Sequence, residues 1–274
     1  MDLTGFWGGL GKAAAESIKT EQGDYYNEDG LLMCGKCNTP KQCTVKNPFV
    51  EGRVDIRYCI CKCAAEERAR KEFLERVARN RQVCFSNEPR LQYWTFAKDD
   101  GANAELTAGL KKYVEDFSEH RKNGKGLLLY GDTGRGKTYA AASVANALLD
   151  EGYTVLFTDF IEIESIVNKV WDKQEYYNAL NKFSLLIIDD LAVERKTEYM
   201  SQIVQAVINT RYNAGLPLII TTNLTGEELQ SPQDMVYKRI FSRLYEMCIP
   251  VKVEGKDRRA DVLKSTVREN LLGL

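Results

Sequence analysis

The sequence predicts an α/β protein. Its larger part reads as a doubly wound parallel sheet of five strands, with a small cysteine-bearing module in front. Three observations carry that expectation. From about residue 90 onward, apolar runs of strand length alternate with longer amphipathic stretches, the pattern of parallel strands joined by crossover helices. One strand-to-helix junction, Gly131-Asp132-Thr133-Gly134-Arg135-Gly136-Lys137-Thr138, fits G-x-x-x-x-G-K-[ST]. Six of the eight cysteines fall between Cys34 and Cys63, too clustered for scattered core residues.

Composition bounds the rest. With 274 residues and 44% hydrophobic content, the chain can bury a substantial core and add a smaller module to it. A net charge of -1 excludes a uniformly basic nucleic-acid binder but leaves room for a local basic path. No apolar run approaches the ~18 residues that cross a bilayer, and residues 1–19 lack the basic start and apolar stretch of a secretory signal. A cytoplasmic protein without membrane contact is therefore expected. In that compartment cysteines remain thiols or bind metal.

Taken in order, Leu3, Phe6, Trp7 and Leu10 share a helical face, but Gly5, Gly8, Gly9 and Gly11 interrupt it. Such a segment is either a frayed terminus or one that orders on a partner. Cys34-Gly35-Lys36-Cys37 has zinc-knuckle spacing, and Cys61 with Cys63 supplies a second thiolate pair. Cys59 competes for one of the four places, because Cys59, Cys61 and Cys63 at alternate positions of a strand would share a face. Too few apolar side chains surround these cysteines for unaided folding, so zinc would supply much of the stability. Residues 64–83 read as a solvated connecting helix with a narrow stripe of Phe73, Leu74 and Val77. Its Arg68, Arg70, Lys71, Arg76, Arg79 and Arg81 are offset by Glu66, Glu67, Glu72 and Glu75. Pro89 marks a boundary. Three parts follow: a zinc module over 1–63, a linker over 64–88 and a nucleotide-binding domain over 89–274.

Within the last part, helices are expected over 106–121, 161–171, 198–213 and 235–247. Strands are expected over 127–130, 154–158, 185–189, 218–222 and 249–253. The glycines of the 131–138 loop let backbone N–H groups and the following helix start face phosphate oxygens. Lys137 then reaches the β- and γ-phosphates, and the Thr138 hydroxyl ligates magnesium. The run Leu185-Leu186-Ile187-Ile188-Asp189-Asp190, expected beside the loop's own strand, places Asp189 in the magnesium shell and Asp190 on the attacking water. Asn223, after the fourth strand, can hydrogen-bond the water or the γ-phosphate. Arg239 and Arg243, four apart on one helix, and the trailing Arg258 and Arg259 are candidates for neutralising transition-state charge. Lys169, Lys173, Tyr176 and Tyr177 have the basic and aromatic mixture of a single-strand contact, though a solvated helix end accounts for them equally. Cys84, Cys248 and His120 read as ordinary buried or helix-end residues.

The loop GDTGRGKT, the strand LLIIDDL, the TTN at 221–223, the helix RIFSRL and the trailing DRR together resemble the AAA+ ATPases of the DnaC/DnaI type, bacterial and phage loaders of the replicative DNA helicase. The resemblance spans roughly residues 90–274, and the CGKC to CICKC module resembles the zinc-binding N-terminal domain of DnaI-like and phage loaders. It implies an AAA+ P-loop domain with Gly131 to Thr138 as Walker A, Asp189 and Asp190 as Walker B, and Asn223 as sensor 1. Arg243 matches the arginine finger and Arg258 sensor 2, with Arg259 adjacent as an alternative. Asp190 stands where many AAA+ members have Glu, which implies slow turnover. The implied cofactors are ATP, Mg2+ and Zn2+. The implied partners are a DnaB-type helicase hexamer, single-stranded DNA and further copies of the chain through AAA+ interfaces. The implied function is ATP-dependent loading of the replicative helicase onto single-stranded DNA at replication initiation, within the primosome. An IstB-like transposition helper ATPase and a non-catalytic zinc-module adaptor are the alternatives.

Overall fold

The computed structural model describes residues 20–191, 197–232, 234–255 and 257. The apolar stripe at Leu3, Phe6, Trp7 and Leu10 lies outside them, as do Arg258 and Arg259. The chain divides into two compact units, Met1–Glu75 and Arg76–Leu274.

The first unit holds two antiparallel pairs. Strand β1 (Tyr25–Tyr26) pairs with β2 (Leu32–Met33), and β3 (Gln42–Lys46) pairs with β4 (Val54–Tyr58). Among its described residues only Leu32, Cys34, Lys41 and Cys61 are buried. The described residues of that unit form no apolar core. The strand expected to carry Cys59, Cys61 and Cys63 on one face ends at Tyr58 instead. Cys59 still donates its amide to Lys41 O, but Cys63 already lies in the first turn of helix α1 (Lys62–Cys84). Of the stripe expected on α1, Val77 is buried, Phe73 half-buried and Leu74 exposed. The division between units falls inside this helix.

In the second unit, β5 (Gly126–Tyr130), β6 (Val155–Asp159), β7 (Leu185–Leu191), β8 (Leu218–Thr222) and β9 (Cys248–Lys252) form one parallel sheet in the order β6-β7-β8-β5-β9. Strand β8 therefore separates β7 from β5. The expectation that the LLIIDD strand lies beside the loop's own strand is corrected: apolar runs identify strands, but the crossover lengths do not say which ones become neighbours.

Strands β5, β7 and β8 are buried on both faces, and their residues alternate between two cores, whereas the edge strand β9 is mostly exposed. Leu127, Leu129, Leu185, Ile187 and Ile219 pack with α2 (Ala104–Glu115), α3 (Phe117–Lys122) and α4 (Lys137–Asp150). Leu128, Leu186, Ile188, Leu218 and Ile220 pack with α5 (Phe160–Val167), α6 (Lys173–Ala179), α7 (Glu198–Asn213) and α9 (Met235–Met247). The short α8 (Gly226–Gln230) opens with a Thr225/Glu228 capping box.

Two expected helices are broken. The stretch 106–121 divides at Asp116, which leaves helical geometry to end α2 and start α3. The stretch 161–171 ends at Val167, and a separate helix starts where the Asp172 side chain accepts from Glu175 N.

Candidate functional site

The nucleotide loop is built by the end of β5 and the start of α4. Gly136 caps α4 in the left-handed region at φ 94°, which aims the next amides at the loop interior and is open to glycine at little cost. Lys137 is buried. Its ammonium donates to Gly131 O and Asp132 O, each at 2.8 Å, and to Asn223 Oδ1 at 2.7 Å. A cleft of about 720 Å³ lies beside the loop, lined by Tyr130, Asp132, Arg135, Glu227 and Lys252 among others, within the size range of small-molecule sites. Arg135 spans the loop, donating to Gly255 O and lying 3.4 Å from the Asp132 carboxylate.

Although β8 intervenes, Asp189 reaches the loop. Thr138 Oγ1 donates to one carboxylate oxygen at 3.0 Å, and Thr221 Oγ1 donates to the other at 2.5 Å. Burial pushes the Asp189 carboxyl up to about 6; the Thr221 hydrogen bond opposes that shift and the Asp190 charge adds to it. A carboxylate held at such cost beside a hydroxyl and a second carboxylate favours a cation.

Asp190 occupies the left-handed region at φ 55°, uncommon for a residue with a Cβ, where the β7–β8 register shifts between Ile188 and Leu191. In a regular strand, side chains 189 and 190 would point to opposite faces. The irregularity brings both to the carboxyl edge of the sheet. Thr221 fixes it by accepting from Asp190 N at 2.9 Å, and Asn223 Nδ2 lies 3.4 Å from the Asp190 carboxylate. Asn223 therefore contacts both Lys137 and Asp190. Thr221 was not singled out from sequence, although two threonines ending an apolar strand are a signal that hydroxyls are wanted at that edge.

The structure does not bring every expected residue to this cluster. Arg243 lies on α9, donates to Asn209 Oδ1 on α7 and stands 5.8 Å from the centre of the Tyr212 ring. Arg239 is exposed on the same helix. Of the expected single-strand contacts, Tyr177 is buried, and Tyr176 packs half-buried against the core.

A second cluster lies in the first unit. The Sγ atoms of Cys34, Cys37, Cys61 and Cys63 all lie within 4.8 Å of one another, with Cys34–Cys63 at 3.6 Å and Cys61–Cys63 at 3.5 Å. Sulfurs at the corners of a tetrahedral zinc site stand about 3.8 Å apart, so the four thiols fit that ion. Hydrogen bonding with Cys37, Cys61 and Cys34 pushes the Cys63 thiol up to about 12, while hydrogen bonding from the Thr39 hydroxyl draws Cys37 down to about 6. Thr39 Oγ1 lies 3.0 Å from Cys37 Sγ and accepts from Lys62 N, tying the knuckle to the helix start. Gly35 touches Gly23 so closely that a Cβ would fall 2.0 Å from Gly23 O. Its amide donates to Asp24, whose carboxyl the Lys41 ammonium holds at about 2. Cys59 turns away toward Pro40 O, and Cys43 is also outside the group.

The family model of IstB-like ATP binding proteins matches residues 62–265. The chain belongs to that family. Among the relatives of this IstB-like chain, the replicative helicase loader DnaI of Bacillus subtilis is 23% identical over 260 residues, covering 82% of this chain and 78% of DnaI. A putative insertion sequence ATP-binding protein of Sinorhizobium fredii is 32% identical over 107 residues, covering 38% of this chain and 36% of that protein. The crystal structure of the DnaC helicase loader matches with a TM-score of 0.53 and 21% identity, covering 60% of this chain and 99% of that one. The IstB-like domain is thus an AAA+ fold of the kind seen in helicase loaders, and its family binds ATP. No helix among the described residues is long and apolar enough to cross a membrane.

Proposed function

We propose that this protein is an ATP-controlled loader of a replicative DnaB-type helicase onto single-stranded DNA, acting in the cytoplasm. The observation that carries the reading is the extent of the likeness to DnaI. A match over 82% of the chain runs into the cysteine unit, since Arg76–Leu274 makes up less than three quarters of the sequence. A resemblance confined to the ATPase core would not separate loaders from other IstB-like proteins.

In this reading the loop amides and Lys137 bind the β- and γ-phosphates, with Lys137 exchanging its contacts to Gly131 O and Asp132 O for phosphate oxygens. Thr138 and Asp189 would hold magnesium, which neutralises phosphate charge. Asp190 orients and deprotonates the attacking water. Asn223, touching both Lys137 and Asp190, reports the γ-phosphate to the acid. Arg243 lies outside this cluster and would act on the nucleotide of a neighbouring subunit, with Arg258 as sensor 2. Bound ATP holds the assembly and hydrolysis releases it, a switch acting on interfaces. Cys34, Cys37, Cys61 and Cys63 would hold zinc, which cross-links the first unit; that unit grips the helicase. Its hairpin offers an apolar surface for the purpose, with Val54, Ile56 and Tyr58 exposed at alternate positions of β4 and Phe49 at the turn.

The insertion-sequence relative, more alike over a shorter span, supports a second reading: a transposition helper bound to duplex DNA. Weighing complexes of the full chain with replicative helicase hexamers, with and without a non-hydrolysable ATP analogue, separates the two. A defined complex supports the loader. No complex with hexamers from several hosts, together with tight ATP-dependent duplex binding, supports the helper.

A further inference from the structure

Strand β7 carries its two acids on an irregularity, and one residue of β8 faces both of them. Ile188 pairs with Ile220 and Leu191 with Thr222, so Asp189 and Asp190 together lie opposite Thr221 alone. Two residues against one is the arrangement of a bulge, which leaves the extra residue without its ladder partner. Packing is not disturbed. Leu186, Ile188 and Leu191 all face the same apolar core, so the extra residue is absorbed between 188 and 191.

Thr221 makes good the lost bond. It is fully buried, and its Oγ1 accepts from Asp190 N at 2.9 Å while donating to a carboxylate oxygen of Asp189 at 2.5 Å. An amide N–H can only donate, so the hydroxyl proton goes to Asp189 and the direction of both bonds is settled. The other Asp189 oxygen takes the Thr138 hydroxyl at 3.0 Å. One hydroxyl thus orients the side chain of the first acid and the backbone of the second. That backbone sits at φ 55°, a region that Asp and Asn enter more readily than other residues with a Cβ, which favours Asp over Glu at 190.

Thr222 provides the contrast. It is buried as deeply, and on the opposite face its Oγ1 donates to Leu191 O at 2.8 Å and accepts from Leu224 N at 3.2 Å. It holds the same bulge, but these hydrogen bonds go to neither acid. Valine would fill the same space at either position, so the hydroxyl is what threonine adds.

We propose that Thr221 is a positioning residue for ATP hydrolysis, aiming the Asp189 carboxylate at the cation and the Asp190 carboxylate at the water through a single hydroxyl. This rests on the hydrolysis step of the loader reading and names the residue that sets its two acids.

The test compares Thr221→Val, Thr221→Ser and Thr222→Val in the full chain. Two quantities are read: steady-state ATP hydrolysis, and the magnesium dependence of binding a non-hydrolysable ATP analogue. Thr221→Val should lower kcat about 10- to 100-fold and raise the half-saturating magnesium concentration for analogue binding by a similar factor, the range for losing a partner of a metal ligand. Analogue binding without magnesium should be unchanged. Thr221→Ser should restore both readouts, and Thr222→Val should lower the unfolding temperature while leaving both near wild type. Thr221→Ala takes the place of the valine variant should that one not fold. Wild-type kcat and magnesium dependence in Thr221→Val would overturn the proposal. So would a serine variant as impaired as the valine one, or equal losses in Thr221→Val and Thr222→Val, which would make the threonines mere supports of the strand. In those three cases a wild type that hydrolyses ATP and binds helicase remains a loader. A wild type without hydrolysis would overturn the hydrolysis step and the proposal together.

Discussion

The two units of this chain are held together in opposite ways. In Arg76–Leu274 the central strands of the sheet are buried on both faces, and alternate residues such as Ile187 and Ile188 feed two separate apolar cores. In Met1–Glu75 four described side chains are buried, and two of those are cysteines of a four-sulfur cluster. One unit is built around buried apolar side chains. The other brings four thiols together where a core would be, the arrangement that a metal ion would stabilise. The same chain thus joins an ATP-binding core to a thiol-clustered unit that exposes an apolar hairpin.

Removing metal tests that contrast most severely. Chelation, or Cys61→Ser, should unfold the first unit completely, since structural zinc supplies about 10 kcal/mol or more to such modules. Limited proteolysis should then cut within residues 20–75 and leave the second unit intact with its ATP affinity unchanged. Metal analysis should find one zinc per untreated chain. Loss of nucleotide binding along with the first unit would break the comparison.

The reverse experiment strikes the second unit. Lys137→Ala should lower ATP hydrolysis by at least about 100-fold while leaving zinc content and the protease pattern of the first unit untouched. Within its core, Ile187→Ala should cost about 2 to 5 kcal/mol, read as an earlier unfolding transition of that unit alone. The smallest effect sharpens the picture of the metal centre. Thr39→Val removes the hydroxyl beside Cys37 and should weaken zinc affinity about 10- to 100-fold, measured by competition with a chelator, without unfolding the module.

Much of this was legible in the residues. The bounds of β8, α7 and α9 follow from apolar period and flanking caps, and the G-x-x-x-x-G-K-T loop and the cysteine spacing point to their clusters directly. What failed depended on long-range geometry or on one residue's competing preference. Strand order is set by how crossovers pack, so nothing in LLIIDDL says that β8 will intervene before β5. Asp116 and Asp172 each break or start a helix, and the Asp172-to-Glu175 spacing was a cap signal left unread within a continuous basic and aromatic run. The basic and aromatic run at 169–177 did not show that helical phase would turn Tyr177 into the core. Cys59 lost its place because β4 ends one residue earlier, and the strand-face argument ended with it.

If ATP hydrolysis in the second unit times the release of a helicase held by the first, Asp190→Asn should separate nucleotide binding from release. The helicase complex of the full-length variant is followed over time in ATP, against wild type. The variant should still bind ATP, hydrolyse it about 100-fold or more slowly, and keep its helicase complex long after the wild-type complex has dissociated. Release at the wild-type rate, with hydrolysis abolished, would contradict that timing and make the nucleotide a structural ligand.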